Sequence, residues 1–131
     1  MNTIYHLLGI TVAGGLGTLA RYGVNTGAAA LFGPHYPWGT YIVNMFGCFL
    51  FGLFSGLITA EFVPSHWKVY VLTGFLGGFT TFSAFAYENQ QFMAEKRWGL
   101  LTLHLVGQNV FGVIAVVLGI LLVERFVSVL K

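Results

Sequence analysis

Long apolar runs broken by brief polar punctuation dominate the chain, and the length of those runs sets its architecture. A helix needs about 20 predominantly apolar residues to cross a bilayer. Four runs reach that length, at approximately residues 3–31, 39–60, 68–93 and 98–126. Phe32 to Trp38, with Pro34 and Pro37, ends the first, because paired prolines mark a loop. Glu61 and Pro64 close the second, and the charged turn Glu95-Lys96-Arg97 leads into the fourth. Connections this short make consecutive helices antiparallel neighbours. The pattern predicts an all-α membrane protein, a single four-helix transmembrane domain over residues 1–131.

The third run carries an irregularity. Gly74-Phe75-Leu76-Gly77-Gly78-Phe79-Thr80-Thr81-Phe82-Ser83-Ala84-Phe85 places two adjacent glycines before two threonines, and each of these lowers helix propensity. Gly77 and Gly78 relax the backbone restrictions, and the Thr80, Thr81 and Ser83 hydroxyls suit freed backbone groups. The stretch reads as a helix broken at membrane depth, which is tolerated only where it is buried in protein or lines a cavity. Such breaks present carbonyl oxygens and helix-end dipoles, which hold ions in membrane proteins. The competing reading is a Gly/Thr-rich packing surface between helices.

Composition agrees with the run lengths. The 131 residues are 56% hydrophobic and 8% charged, against roughly 25% charged in soluble domains, and the mean hydropathy is +0.79. A net charge of +2 is too small for a nucleic-acid footprint. Cys48 is the only cysteine, so no intramolecular disulfide forms. The N-terminus lacks the basic start of a cleavable signal peptide. His6, His35, His66 and His104 are scattered, with no pair at metal-ligand spacing. No Ser/His/Asp constellation, HExxH motif or P-loop is present, so the expectation is a protein that is not an enzyme.

The basic residues show almost no sidedness. With the N-terminus inside, Lys68, Arg125 and Lys131 lie on one side, Lys96 and Arg97 on the other, and Arg21 nearer the second. Orientation normally follows a Lys/Arg excess. A chain without that excess suits insertion both ways up and an antiparallel homodimer; a fixed topology set by other features is the alternative. Gly14, Gly15, Gly17 and Thr18 on the first span, and Gly47, Gly52, Ser55 and Gly56 on the second, supply small residues for close helix contact.

Polar groups at membrane depth are functional candidates by default. Arg21 either attracts an anion in a vestibule or snorkels to the headgroups. Asn44 offers both donor and acceptor, for an anion or for another helix. On the fourth span His104, Gln108 and Gly112 share one face at i, i+4, i+8, with Asn109 and Thr102 nearby; the stripe reads as a pore lining or as an interhelical hydrogen-bond seam. Phe82 and Phe85, at i, i+3, follow the break, and the positive edge of an aromatic ring suits a dehydrated anion. Glu88, near the end of this helix, reads as a cap or a partner at a dimer surface.

Three motifs together resemble the Fluc-type fluoride channels, small four-span fluoride exporters. They are Gly14-x-x-Gly17-x-x-x-Arg21-Tyr22, Gly39-Thr40-x-x-Val43-Asn44-x-x-Gly47 and Gly74-Phe75-x-Gly77-Gly78-x-Thr80-Thr81-Phe82-Ser83-x-Phe85. The resemblance covers nearly the whole chain. It implies an antiparallel, dual-topology homodimer with two pores in the inner membrane of a bacterium. It further implies one structural sodium ion on the dimer axis, held by backbone carbonyls of Gly77 and Thr80. Phe82 and Phe85 match the family's phenylalanine pair, Asn44 its pore asparagine, Arg21 its vestibule arginine, and the fourth-span stripe its polar track. Ala84, Gln108 and Gly112 depart from the small hydroxyl residues expected at their positions.

The resulting expectation is a passive, electrogenic, fluoride-selective channel that exports cytoplasmic fluoride. Asn44, Thr81, Ser83, Phe82, Phe85, His104 and Gln108 would replace the ion's water piecewise. One alternative is a small dual-topology multidrug exporter, which needs a carboxylate at depth; the first two spans have none, and Glu61 lies at the edge. Another is a membrane scaffold subunit that transports nothing.

Overall fold

The structure, a computed structural model, describes residues 3–130. Helices α1 (Thr3–Phe32), α2 (Trp38–Thr59) and α5 (Trp98–Leu130) are continuous. Between α2 and α5 the chain forms a π-helical segment (Val69–Leu76), one turn of α3 (Gly77–Phe79) and then α4 (Phe82–Ala94). Four helical stretches are long and apolar enough to span a membrane, with Val69–Ala94 counted as one, and no strand occurs among the described residues. The observed bounds fall within a residue or so of the expected runs, except that α5 continues to Leu130.

Local chemistry explains the ends. α1 stops at Gly33, whose φ of +75° and N–H donated to the Ala29 carbonyl at 3.0 Å form a left-handed cap that glycine adopts without a Cβ clash. Pro37 precedes α2 and contributes no donor that would go unmet.

Glycines set how closely the helices approach. A Cβ on Gly52 would collide with the Val116 carbonyl, one on Gly119 would come within 2.7 Å of the Leu53 amide, and one on Gly56 within 3.1 Å of Val123. The near-constant offset of these pairs makes α2 and α5 parallel neighbours in backbone contact. On the other side, α1 presses against the π-helical segment and α3: Gly78 lies against the Gly14 carbonyl and Gly17 against that of Phe75. Close backbone approach over small residues is the main attraction available between helices in lipid, where no hydrophobic gain operates. Val43, Leu72, Leu76 and Phe79 form the buried core between these two layers. Most large side chains of α1 and α5, such as Leu8, Leu19, Val113 and Leu121, remain exposed. Exposed apolar surface on this scale suits lipid or a further protein surface.

The break is real but lies beyond the two glycines. Gly77 is helical, with φ −63° and ψ −37°. The helix is interrupted at Thr80 (φ −79°, ψ 160°) and Thr81 (φ −149°, ψ 112°). Glycine permits a departure from helix without forcing one, and here Gly78 is used for contact with α1. What removes Thr81 from the helix is an acceptor on another span.

Candidate functional site

That acceptor is Asn44. The Thr81 N–H, which a continuous helix would direct to the Gly77 carbonyl, donates instead to Asn44 Oδ1 at 2.8 Å, and Asn44 Nδ2 donates to the Thr81 carbonyl at 3.1 Å. Thr81 then starts α4 as its N-cap, with Oγ1 accepting from the Ala84 N–H at 3.2 Å. A Thr cap satisfies a helix-terminal donor that has no partner within the helix. Thr80 Oγ1 donates to the Leu76 carbonyl at 2.9 Å, and Ser83 Oγ lies 3.4 Å from Thr81 Oγ1. The expected role of the hydroxyls at the break therefore holds, with Asn44 as the additional partner.

From Asn44 a polar chain runs along the inside of α5. Asn44 Nδ2 donates to Gln108 Oε1 at 2.8 Å, which turns Gln108 Nε2 to within 3.0 Å of His104 Nε2. His104, with no exposed surface, also lies 3.1 Å from Glu88 Oε2 through Nε2 and 2.9 Å from the Tyr36 hydroxyl through Nδ1. Thr40 Oγ1 donates to Glu88 Oε1 at 2.6 Å. Asn109 and Thr102 stand outside this chain, each bonded to a carbonyl of its own helix.

A groove of about 290 Å³ opens onto one end of the chain, its lining including Asn44, Thr81, Phe82, Phe85 and Gln108. The two phenylalanine rings have centroids 5.7 Å apart, but their surroundings differ: Phe85 is buried against His104, whereas Phe82 is 79% exposed. A second cleft of about 260 Å³ reaches the other end, where Asn25, Tyr36, Thr40 and Glu88 meet. Asn25 Oδ1 is buried there without a partner among the described residues.

Asn44, Thr81, Gln108 and His104 are brought into one network, with Ser83 beside it. Both amide hydrogens of Asn44 are taken by chain acceptors, so donors for a ligand come from other groups lining the groove, among them Gln108 Nε2, the Thr81 hydroxyl and Asn109 Nδ2. Arg21 does not snorkel; its Nη1 donates to the Thr80 carbonyl at 3.3 Å. Glu88, expected as a cap or a surface partner, is turned inward onto Thr40 and His104, because a carboxylate in an apolar bundle is stable only where donors meet it.

Sequence reasoning missed Tyr36 and Thr40. Tyr36 sits between two prolines in a loop and carried no signal, yet its ring contacts Phe92 and His104. Burial, followed by the neighbouring Tyr41 and Glu88, pushes its hydroxyl up to about 12, so it remains a neutral donor-acceptor at ordinary pH.

Two backbone oxygens at the break are of the chemical type a hard cation takes. Diversion of the Thr81 N–H leaves the Gly77 carbonyl without its usual helical partner, and the Thr80 carbonyl keeps one lone pair beside the one that Arg21 engages. Carbonyl oxygens are the ligands that hard cations take. One chain supplies two of them, fewer than such an ion needs.

Parallel helices in backbone contact, an interrupted third span and a polar chain between two clefts define a multi-pass membrane protein with hydrogen-bonded polar groups between its helices. The sequence matches the family described as "CrcB-like protein, Camphor Resistance (CrcB)" over residues 8–120, and the chain belongs to that family. It is 45% identical over 111 residues to a protein of Nitrosococcus oceani named "Fluoride-specific ion channel FluC", covering 84% of this chain and 89% of that one. Proteins of the same name from Maridesulfovibrio salexigens and Chloroflexus aurantiacus are 35% identical over 126 residues and 38% over 116. The first match covers 95% of this chain and all of its relative, the second 88% and 92%. These relatives are named ion channels, not enzymes.

Proposed function

We propose that this protein is a passive, electrogenic, fluoride-selective channel that lets cytoplasmic fluoride leave a bacterium across its inner membrane. The observation that carries the reading is the juxtaposition of Phe82, Phe85, Asn44 and Gln108 around one groove at the break, together with the channel name its relatives bear. A small anion keeps a tight water shell, and conduction requires that protein donors replace this shell in steps without holding the ion. Hydroxyls of Thr81 and Ser83, the Gln108 amide and the ring edges of Phe82 and Phe85 supply such donors. Asn44 acts first by holding the break open, and a passing ion reaches its amide only by displacing the Thr81 carbonyl or Gln108 Oε1. Arg21, at the same level, attracts anions towards the vestibule.

The groove is open on one side, and Phe82 projects out of the chain. A second, antiparallel copy would close both features and give two pores related by a two-fold axis in the membrane. The weak Lys/Arg bias supports that arrangement. A sodium ion on the axis would be held by the Gly77 and Thr80 carbonyls of both copies, doubling the two oxygens that one chain provides; bound there, it would tie the copies together by electrostatic attraction.

The test is fluoride efflux from liposomes containing the purified protein, read with a fluoride electrode after a potassium ionophore is added, with chloride as control. Rapid fluoride loss without chloride loss is expected. Well-folded protein that passes neither ion would overturn the proposal and favour a scaffold role.

A further inference from the structure

We propose that Glu88 and His104 form a one-proton switch that sets fluoride conduction by pH, an inference that rests on the channel reading. The geometry of one nitrogen carries it. Asn44 is fixed by its two bonds to Thr81, and it fixes Gln108 with Oε1 towards Asn44 and Nε2 towards His104. His104 Nε2 therefore faces two partners, Gln108 Nε2 at 3.0 Å and Glu88 Oε2 at 3.1 Å. A ring nitrogen carries either one hydrogen or one lone pair. With its hydrogen given to the Glu88 carboxylate, it leaves the Gln108 N–H only the longer contact to His104 Nδ1 at 3.5 Å, whose lone pair already accepts from the Tyr36 hydroxyl at 2.9 Å, and that donor is available to an anion.

The other contacts tolerate either charge on the ring. The Tyr36 hydroxyl donates to a neutral Nδ1 and accepts from a protonated one by rotating its hydrogen alone. Thr40 donates to Glu88 Oε1 in both forms. The pair thus changes from net −1 to neutral on taking up one proton, without a change of rotamer. His104 is wholly enclosed, but the Glu88 side chain is 17% exposed and borders the 260 Å³ cleft, which gives the proton a route.

Among the described residues in contact with the pair, none carries a compensating charge. Facing the pair are Asn25 from α1, Tyr36 from the loop, Thr40 and Tyr41 from α2, Phe85 and Phe92 from α4, and Gln108 from α5 itself. Arg97 lies over the Phe92 ring, 5.4 Å from its centroid, and is paired with Glu95. An anion held by Gln108 meets the charge of the pair directly. Fluoride should pass readily when the pair is neutral and be repelled when it is −1.

Single-channel or macroscopic current in planar bilayers at symmetrical pH tests this, since current counts ions and is blind to neutral HF. For the wild type, fluoride current should rise roughly tenfold from about pH 8.5 to about pH 5.5, following one proton, the scale of one unit charge at close range in a screened interior. Glu88→Gln should give a current that is high at every pH, and His104→Gln one that is low and flat, with Glu88 left charged. Opposite plateaus would not arise from a merely structural role. The wild-type profile decides even if neither variant assembles: a fluoride current that is flat or falls on acidification overturns the switch and leaves the channel reading standing. No current at any pH overturns the channel reading itself.

Discussion

Asn44 and Thr81, on different spans, exchange two hydrogen bonds as neighbouring strands would: the Thr81 N–H to Oδ1 at 2.8 Å and Nδ2 to the Thr81 carbonyl at 3.1 Å. One amide side chain thereby satisfies both backbone groups of the residue at which the third span leaves helical geometry. The break is a packed element, held from α2, and the polar chain to Glu88 starts from it.

Asn44→Asp should remove both donated bonds, leave the Thr81 carbonyl and Gln108 Oε1 unpaired and place a negative charge on the groove. Each buried group left unsatisfied costs about 1–3 kcal/mol. The variant should unfold at lower temperature in detergent and pass fluoride at least about tenfold more slowly, each ~1.4 kcal/mol of added barrier being a factor of ten. Normal efflux with an unchanged melting temperature would remove Asn44 from both roles.

The two phenylalanines should separate by stability rather than by flux. Phe82→Ile changes a ring that is 79% exposed in the single chain, and Phe85→Ile one that is 6% exposed. Both should cut fluoride efflux sharply, because an aliphatic side chain has no positive edge. Only Phe85→Ile should also lower thermal stability, by about 1 kcal/mol. Unaltered efflux in both variants would end the ring-edge proposal.

Backbone contact between α2 and α5 should be sensitive to a single methyl. Gly52→Ala would drive a Cβ into the Val116 carbonyl, whereas Gly15→Ala and Gly99→Ala meet nothing within 4 Å. Gly52→Ala should destabilise by about 1–3 kcal/mol, read as a shift in chemical or thermal unfolding, and the other two should change little. Equal effects at all three positions would show that the helices separate more easily than the structure implies.

Replacement of sodium by a bulky organic cation should weaken the assembled dimer if the Gly77 and Thr80 carbonyls hold the ion. Size-exclusion chromatography and thermal melting in matched sodium and N-methylglucamine buffers provide the check. A dimer indifferent to sodium would refute this site and leave the Thr80 carbonyl to Arg21.

The four spans were legible because hydrocarbon thickness imposes a length that local hydropathy alone reveals. That the third span breaks was also legible, from glycine and threonine clustered inside an apolar run. Which residues of that stretch leave the helix was not, since Gly77 and Gly78 only permit a bend, and the narrowing to Thr80 and Thr81 belongs to an asparagine 37 residues earlier in the chain. Glu88 was misjudged for the same reason: its place near a helix end says nothing of which way it turns. Tyr36, in a proline-flanked loop, had no periodicity to place it.

By itself, then, the sequence determined the span count, the irregular helix, the residue types at depth and the family motifs, all of which follow from local composition and spacing. Tertiary structure alone decided which donors are spent and which are free. Asn44 gives both amide hydrogens to the chain, Gln108 keeps a donor facing His104, and Glu88 meets that ring from another helix. Hydrogen-bond assignments depend on distances between side chains remote in sequence, and only packing the helices fixes those distances.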